Sequence, residues 1–261
     1  MLTSTTLQLL TLAGLATASP VKIARQEGGT QYDPAWYPGR VYSTTWTLRA
    51  NFTDPAKLAA VFPNTDLNNW FVSSTHSGAG KRTAVLRPDA GVAEVFFYNG
   101  SNNRPRDSGE VLTRPVHLDF QDKAVAQGVQ WYTVTSEGTK CKASSTRTEM
   151  QINFSGGDKG TGVGSGFNDP YARFYGPHGT GFMVCNEASP YQYTVLAVGY
   201  QDVVPDNCAP MALLAQWDGE FEPALEQKDI DDLHLDIGQV QAYAEVTAID
   251  WSEWPKRPVQ N

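Results

Sequence analysis

The chain has 261 residues, enough to bury a full core in one large domain or in one domain with an appendage. Its net charge of −8 is unevenly placed: residues 1–217 balance 17 acidic against 17 basic side chains, whereas residues 218–261 carry 11 acidic and 3 basic. Such an acidic segment repels phosphate, and no Lys/Arg cluster compensates elsewhere, which argues against nucleic acid and anionic membrane surfaces as partners.

Residues 9–15 form a short, mostly apolar run, and Ala16-Thr17-Ala18 supplies the small-x-small pattern that signal peptidase reads. The run is too short to cross a bilayer, and no later stretch reaches the ~18 consecutive apolar residues of a membrane helix. Residues 1–7 lack Lys and Arg, so only the α-amino group charges the start. The reading is a secretory signal over 1–18, cut before Ser19, and an extracellular mature chain. Residues 19–40 read as a flexible leader, polar over 21–31. Tyr32, Trp36 and Tyr37 then crowd around Pro34 and Pro38 as an extended arm.

From Val41 the period shifts to two. Tyr42, Thr44, Trp46, Leu48, Ala50 and Phe52 alternate with polar or small residues, as in a half-buried strand. Asp54-Pro55 followed by 56–61 predicts a short helix, with Asp54 as cap and Pro55 in the first turn. Strands are expected over 70–74, 83–86, 92–98, 116–120, 129–135, 146–154, 166–168, 181–185, 191–198 and 211–217, with Gly, Pro, Asn and Ser clusters between them. Residues 156–166 read as a Gly-rich loop, and 239–249 alternate like one more strand. Long amphipathic patterns are nearly absent before Glu220. The fold class is therefore all-β, a single antiparallel β-sandwich or β-barrel over 41–217, with an eroded trefoil-like barrel as the alternative. An acidic C-terminal extension is expected over 218–261.

In an oxidising compartment the three cysteines predict one disulfide and one leftover thiol. Cys185 and Cys208 bracket the β-rich stretch 191–200, so that pair is favoured and would stabilise by roughly 3 kcal/mol. Cys141 lies in a polar neighbourhood and is the odd one, a bridge from it to either partner being the alternative. Asn51, Asn99 and Asn153 each open an Asn-x-Ser/Thr sequon, plausible glycan acceptors in a secreted chain. Asn99-Gly100 is the strongest, because Asn-Gly also marks a tight turn after the strand ending at Tyr98.

No catalytic signature is present. The run 76–83 superficially looks like a phosphate loop, but Thr75 and Arg82 stand where it needs Gly and Ser/Thr, and no helix-forming run follows. A hairpin turn is the expected structure. His117 and Asp119 share a strand face as a structural pair. Asp229, Asp231, Asp232, His234 and Asp236 form the densest acidic group, but the EF-hand Gly and distal Glu are missing, so a solvated face is expected. Gly162-Val163-Gly164-Ser165-Gly166 lacks the glycines of a nucleophile elbow around Ser165. No metal site and no cofactor are expected.

The remaining asset is aromatic. Trp70, Trp131, Tyr132, Tyr171, Phe174, Tyr175, Tyr191 and Tyr193 are the rings that could include a platform for sugar faces. Asn168, Tyr171, Tyr175 and His178 are the candidate ligand contacts, because their loop mixes rings with hydrogen-bonding side chains. The expected function is a non-enzymatic extracellular binding protein for glycan or a cell-wall or host surface. A secreted polysaccharide hydrolase and a structural wall component are the alternatives.

Several local patterns recur together. Residues 70–80, Trp-Phe-Val-Ser-Ser-Thr-His-Ser-Gly-Ala-Gly, lead into Ala84-Val85-Leu86, and Tyr98-Asn99-Gly100-Ser101 follows. Gly166-Phe167-Asn168, Gly181-Phe182-Met183-Val184-Cys185, the aromatic stretch 191–195 and Pro205-Asp206-Asn207-Cys208 complete the series. In order and spacing, residues 41–217 resemble an uncharacterised family of secreted fungal proteins with a β-rich domain. Phe182-Met183 departs from the family's tendency toward Trp-Leu, and the acidic extension lies beyond it. The resemblance implies secretion and a β-rich fold, and brings no catalytic residues to carry over.

Overall fold

The computed structural model describes residues 40–100, 109–118, 123–134, 147–154, 156–159, 161–164, 172–176, 181–187, 192–198, 203–217 and 227–249. All belong to one compact unit, Pro34–Asn261. The expected signal segment 1–18, most of the leader, Cys141 and Asp119 lie outside the described residues.

Strands β1 (Arg40–Ser43) and β2 (Thr45–Phe52) precede helix α1 (Pro55–Val61). The hairpin β3 (Phe71–Gly78) and β4 (Lys81–Arg87), a 3-10 turn (Ala90–Val92) and β5 (Phe96–Asn99) follow. Next come β6 (Glu110–Leu118), β7 (Lys123–Val134) and β8 (Arg147–Asn153). Then β9 (Gly162–Gly164), β10 (Arg173–Tyr175), β11 (Phe182–Cys185), β12 (Val195–Ala197) and β13 (Cys208–Trp217) run in sequence. Helix α2 (Gln227–Leu233), β14 (Ile237–Gly238) and β15 (Val240–Tyr243) complete the described elements.

Eight strands close into an antiparallel barrel in the order β2–β13–β11–β12–β8–β7–β6–β5 and back to β2. Of the expected architectures, the closed barrel is the one formed. The β3–β4 hairpin bridges the wall, joined to β2 at Arg49↔Phe71 and to β8 from Lys81↔Asn153 to Thr83↔Gln151. The single run expected from residue 41 is two strands, because the chain changes partners at Thr44. There β1 leaves to pair with β15 while β2 pairs with β13. Helix α1 forms as its cap pattern predicts: Asp54 Oδ1 accepts the Lys57 N–H at 2.9 Å. Its buried Leu58 and Val61 pack with Phe62 and Leu67 into the core.

Strand alternation turns Trp46, Leu48 and Ala50 of β2, Val129 of β7, and Met150 and Ile152 of β8 into the core, all fully buried. An eight-stranded barrel is just wide enough to be filled by side chains or to hold one small ligand. Here it is filled. Phe174 of β10 stacks on Phe182 at 5.9 Å and lies 6.4 Å from Trp131 and 6.5 Å from Phe96 between ring centroids.

The boundary expected near Asp218 does not separate residues 227–249 from the barrel. Strand β15 pairs with β1 and β13, and β14 pairs with β5. Ile230, Leu235 and Ile237 pack on Phe97 and Leu112 outside the ring, while Asp231, Asp232, His234 and Asp236 face water and Asp229, expected on the same solvated face, is buried. The acidic composition conceals a minority of apolar residues that dock this segment. Strand β5 ends at Asn99 and β6 begins opposite it at Glu110, so the tight turn expected at Asn99-Gly100 does not by itself join the two strands. Part of the expected Gly-rich loop 156–166 is strand β9, paired with β10.

The disulfide joins Cys185 to Cys208, register partners on β11 and β13 and 23 residues apart in sequence. It staples one arc of the ring, β13–β11–β12, whose last strand meets β8 through Leu196↔Glu149 and Ala197↔Thr148. Replacing both cysteines by alanine is expected to lower the unfolding free energy by about 2–4 kcal/mol in urea titrations. Amide exchange should accelerate first in β11 and β12; an unchanged midpoint and exchange pattern would show that the arc holds without its staple.

Candidate ligand-binding surface

Of the four ligand contacts expected from sequence, Asn168, Tyr171 and His178 lie outside the described residues. Tyr175 is buried in β10, and its hydroxyl approaches Gly162 on β9 so closely that a Cβ there would lie 2.7 Å from it. Its ring is part of the packing and offers no face to a ligand. The other described rings, Tyr132 apart, are buried or partly buried against the core. Trp131 stacks on Phe182 at 5.9 Å and donates its indole N–H to Thr161 Oγ1 at 3.0 Å. Trp70 meets Tyr193 edge-on at 5.4 Å, beside Phe62. Among the described members of the set, Tyr132 is the exposed one, at 39%.

Tyr132 stands on the outer face of the triplet β4–β8–β7. Register places Lys81, Asn153 and Gly128 in one cross-strand row, Thr83, Gln151 and Gln130 in the next, and Glu149 with Tyr132 in a third. Alternation then puts these side chains on one face. Gln130 is the hub. Its Oε1 accepts from the Tyr132 hydroxyl and from Asn153 Nδ2, each at 3.0 Å, while its Nε2 donates to the Gly156 carbonyl at 3.0 Å. Asn153 Nδ2 also reaches Gln151 Oε1 at 3.4 Å. Asn153 Oδ1 is buried with no donor among the described residues. The Lys81 ammonium lies 5.6 Å from the centre of the Tyr132 ring, within cation–π range.

Two features hold this face. The hairpin carrying Lys81 turns tightly through Ala79 and Gly80, whose φ of +68° favours glycine. That is the hairpin expected in place of a phosphate loop. At Gly128 the chain 156–157 lies directly on β7, and a Cβ there would fall 2.0 Å from the Gly157 nitrogen. From that contact Asp158 extends along the edge of β7 left open by β6: its N–H donates to the Val129 carbonyl and its Oδ2 accepts the Trp131 N–H, both at 2.8 Å. A strand edge is thereby covered and Tyr132 is positioned by its neighbours.

A second polar group braces the hairpin. Arg82 of β4 donates to Gln127 Oε1 at 2.7 Å and pairs with Glu94. Ser74 donates to the same Glu94 oxygen, and Gln127 Nε2 donates to the Arg114 carbonyl at 3.1 Å. Sequence reading missed this network because its members, Ser74, Arg82, Glu94, Arg114 and Gln127, come from five separated positions. The Glu94 side chain is 12% exposed, and its Oε1 already accepts two bonds, which suits a brace better than an acid–base catalyst. Glu110 is similarly engaged, by Asn99 Nδ2 at 3.0 Å and the Gly157 N–H at 2.8 Å. No three His, Cys, Asp or Glu side chains among the described residues converge as metal ligands, and the acidic group around Asp231 is dispersed.

The sequons differ sharply in setting. Asn51 is half-buried on the outside of β2, and its amide makes no hydrogen bond among the described residues. Asn99 donates to Glu110 and accepts the Asp236 N–H at 2.9 Å. Asn153 is 4% exposed and tied to Gln130 and Gln151. A glycan on either of the last two would break these contacts.

The architecture is that of a closed antiparallel β-barrel with an aromatic interior and Tyr132 among polar side chains on an outer wall. The chain belongs to the family described as Domain of unknown function (DUF7907), whose pattern covers residues 43–217. All eight ring strands lie within that span, whereas α2, β14 and β15 lie beyond it. No curated protein and no solved structure matches the chain.

Glu94→Ala leaves Arg82 without its carboxylate and is expected to destabilise by about 1–3 kcal/mol in urea unfolding. Arg82→Ala in the same background should add less than it costs alone, because the two share one interaction; strict additivity would remove the brace. In protein from a eukaryotic secretory host, peptide mapping is expected to find glycan at Asn51 and little at Asn99 or Asn153. Full occupancy of Asn153 would contradict its packed environment.

Proposed function

We propose that this chain is a secreted, non-enzymatic extracellular protein that binds glycan on a cell-wall or host surface through the outer face around Tyr132. The observation that carries this reading is an exposed phenol ring held among neutral amides on the wall of a barrel whose interior is already full. A filled interior directs any ligand to the outside, unlike in barrels that enclose one. The ring offers an apolar plane for the C–H face of a sugar, and Gln151 and the Tyr132 hydroxyl lie at its rim as hydrogen-bonding groups. The engaged carboxylates of Glu94, Glu110 and Asp158 favour binding over hydrolysis, which needs two free carboxyl groups facing each other across the scissile bond.

The test is a glycan array of fungal and plant polysaccharides probed with the full chain. Binding to at least one polysaccharide is expected, and Tyr132→Ala, at an exposed position, should weaken it by about tenfold or more at unchanged melting temperature. Silence across the array would overturn the reading. Undiminished binding by the Tyr132 variant would move the site elsewhere.

A further inference from the structure

We infer that Asn99 is a latent deamidation site held closed by the docked segment 227–238, and that its conversion releases that segment in one direction only. Asn99-Gly100 is the sole Asn-Gly pair in the sequence. Asparagine is a thermolabile residue, and a following glycine lacks the Cβ that would shield its own backbone nitrogen. In the reaction the Gly100 nitrogen loses its proton and bonds to Asn99 Cγ. The Cγ–Nδ2 bond then breaks, Nδ2 takes up a proton and leaves as ammonia, and a five-membered succinimide remains. Water opens that ring at either carbonyl, giving aspartate or an isoaspartate whose main chain runs through the former side chain. One water is consumed and one ammonia released, with no oxidant or reductant.

The fold requires both residues of the pair. Gly100 has a φ of +150°, and a Cβ on it would fall 2.8 Å from Gly109 Cα and 3.2 Å from the Tyr98 ring. Asn99 serves two partners of opposite kind: its Nδ2 donates to Glu110 Oε1 at 3.0 Å, and its Oδ1 accepts the Asp236 N–H at 2.9 Å. A carboxylate at 99 could accept from Asp236 but could not donate to Glu110. The labile pair is thus built into the end of β5, and its protection comes from another part of the chain.

That part is the segment after α2. The Gly100 N–H donates to the Asp236 carbonyl at 2.8 Å, so the proton that must leave is engaged. The main chain of Asp236 therefore holds both reacting groups, the nitrogen through its carbonyl and the side-chain amide through its N–H. The guard is detachable. Strand β14 is two residues long, paired through Ile237↔Asn99 and Gly238↔Tyr98, and Ile230, Leu235 and Ile237 pack it on Phe97 and Leu112. The ring, by contrast, is closed by the seven-pair seam of β2 and β13. A segment held by few contacts opens locally at lower free energy than the core. The product resists reclosure, because a carboxylate at 99 faces the Glu110 carboxylate where an amide donated. Isoaspartate adds a main-chain carbon at the β14 register. Release uncovers Phe97 and Leu112 while β15 stays paired with β1 and β13.

The experiment follows conversion at Asn99 by peptide mass mapping during incubation in mildly alkaline buffer, with the full chain made in a host that adds no N-glycan. Expected is conversion about tenfold or more slower in the folded protein than in urea, and acceleration by about tenfold in the double variant Ile230→Ser, Ile237→Ser. Amide exchange along β2 and β13 checks that the ring of that variant is intact. In the second arm Asn99→Asp, the reaction product made directly, should speed exchange at Ile237 and Gly238 by about tenfold and leave β2 and β13 unchanged. No conversion in urea, or equal rates folded and unfolded, would overturn the guarded site. An intact double variant that converts no faster would remove the segment as the guard. Unchanged exchange in Asn99→Asp would overturn the release.

Discussion

The pairing of β2 with β13 is the contact on which the rest of the molecule depends. Seven consecutive residue pairs, Trp46↔Trp217 through Phe52↔Met211, join the start of the barrel to its end. Just beyond them Thr53 meets Pro210 across 157 residues of sequence. Closing so long a loop costs conformational entropy, and only many simultaneous contacts offset it. The seam recovers that cost by lining one face with Trp46, Leu48 and Ala50 against Met211, Leu213 and Ala215, all fully or almost fully buried. Closure also removes the exposed edges that an open sheet of these strands would present.

Once the ring is closed, each remaining element acquires a defined task. Strand β8 lies diametrically across the ring from β2, and its neighbours β7 and β4 complete the wall that carries Tyr132. Phe174 packs in the interior among Phe96, Trp131 and Phe182. Arg82 and Glu94 hold the bridging hairpin from the inner side, while Gln130 orders the amides on the outer side. The hairpin therefore connects the structural brace with the presented face through adjacent residues, Arg82 inward and Lys81 outward.

Legibility in the sequence followed the range of the interactions. Helix α1 was readable because Asp54, Pro55 and the apolar Leu58 and Val61 act within two turns of one another. The Cys185–Cys208 pair was readable because both cysteines flank one short β-rich stretch. The split between β1 and β2 was not, since the alternation continues through Thr44 and only the competing partners β15 and β13 divide it. The tail misled for a related reason. Its acidic residues dominate the composition, yet Ile230, Leu235 and Ile237 decide where it sits.

The candidate face shows the same division. Tyr132 is one of eight rings singled out in the sequence, which favours Tyr171 and Tyr175 over it as ligand contacts. From the sequence alone came the β character, the local cap and hairpin turns, the cysteine pair and the uneven charge, because propensity, periodicity and spacing are short-range properties. The tertiary structure alone decided that the ring closes, that Tyr175 is packed over Gly162, and that Tyr132 remains outside beside Gln130, Gln151 and Lys81. Which face of a strand meets water is set by the strands that pair with it, and those lie far away along the chain.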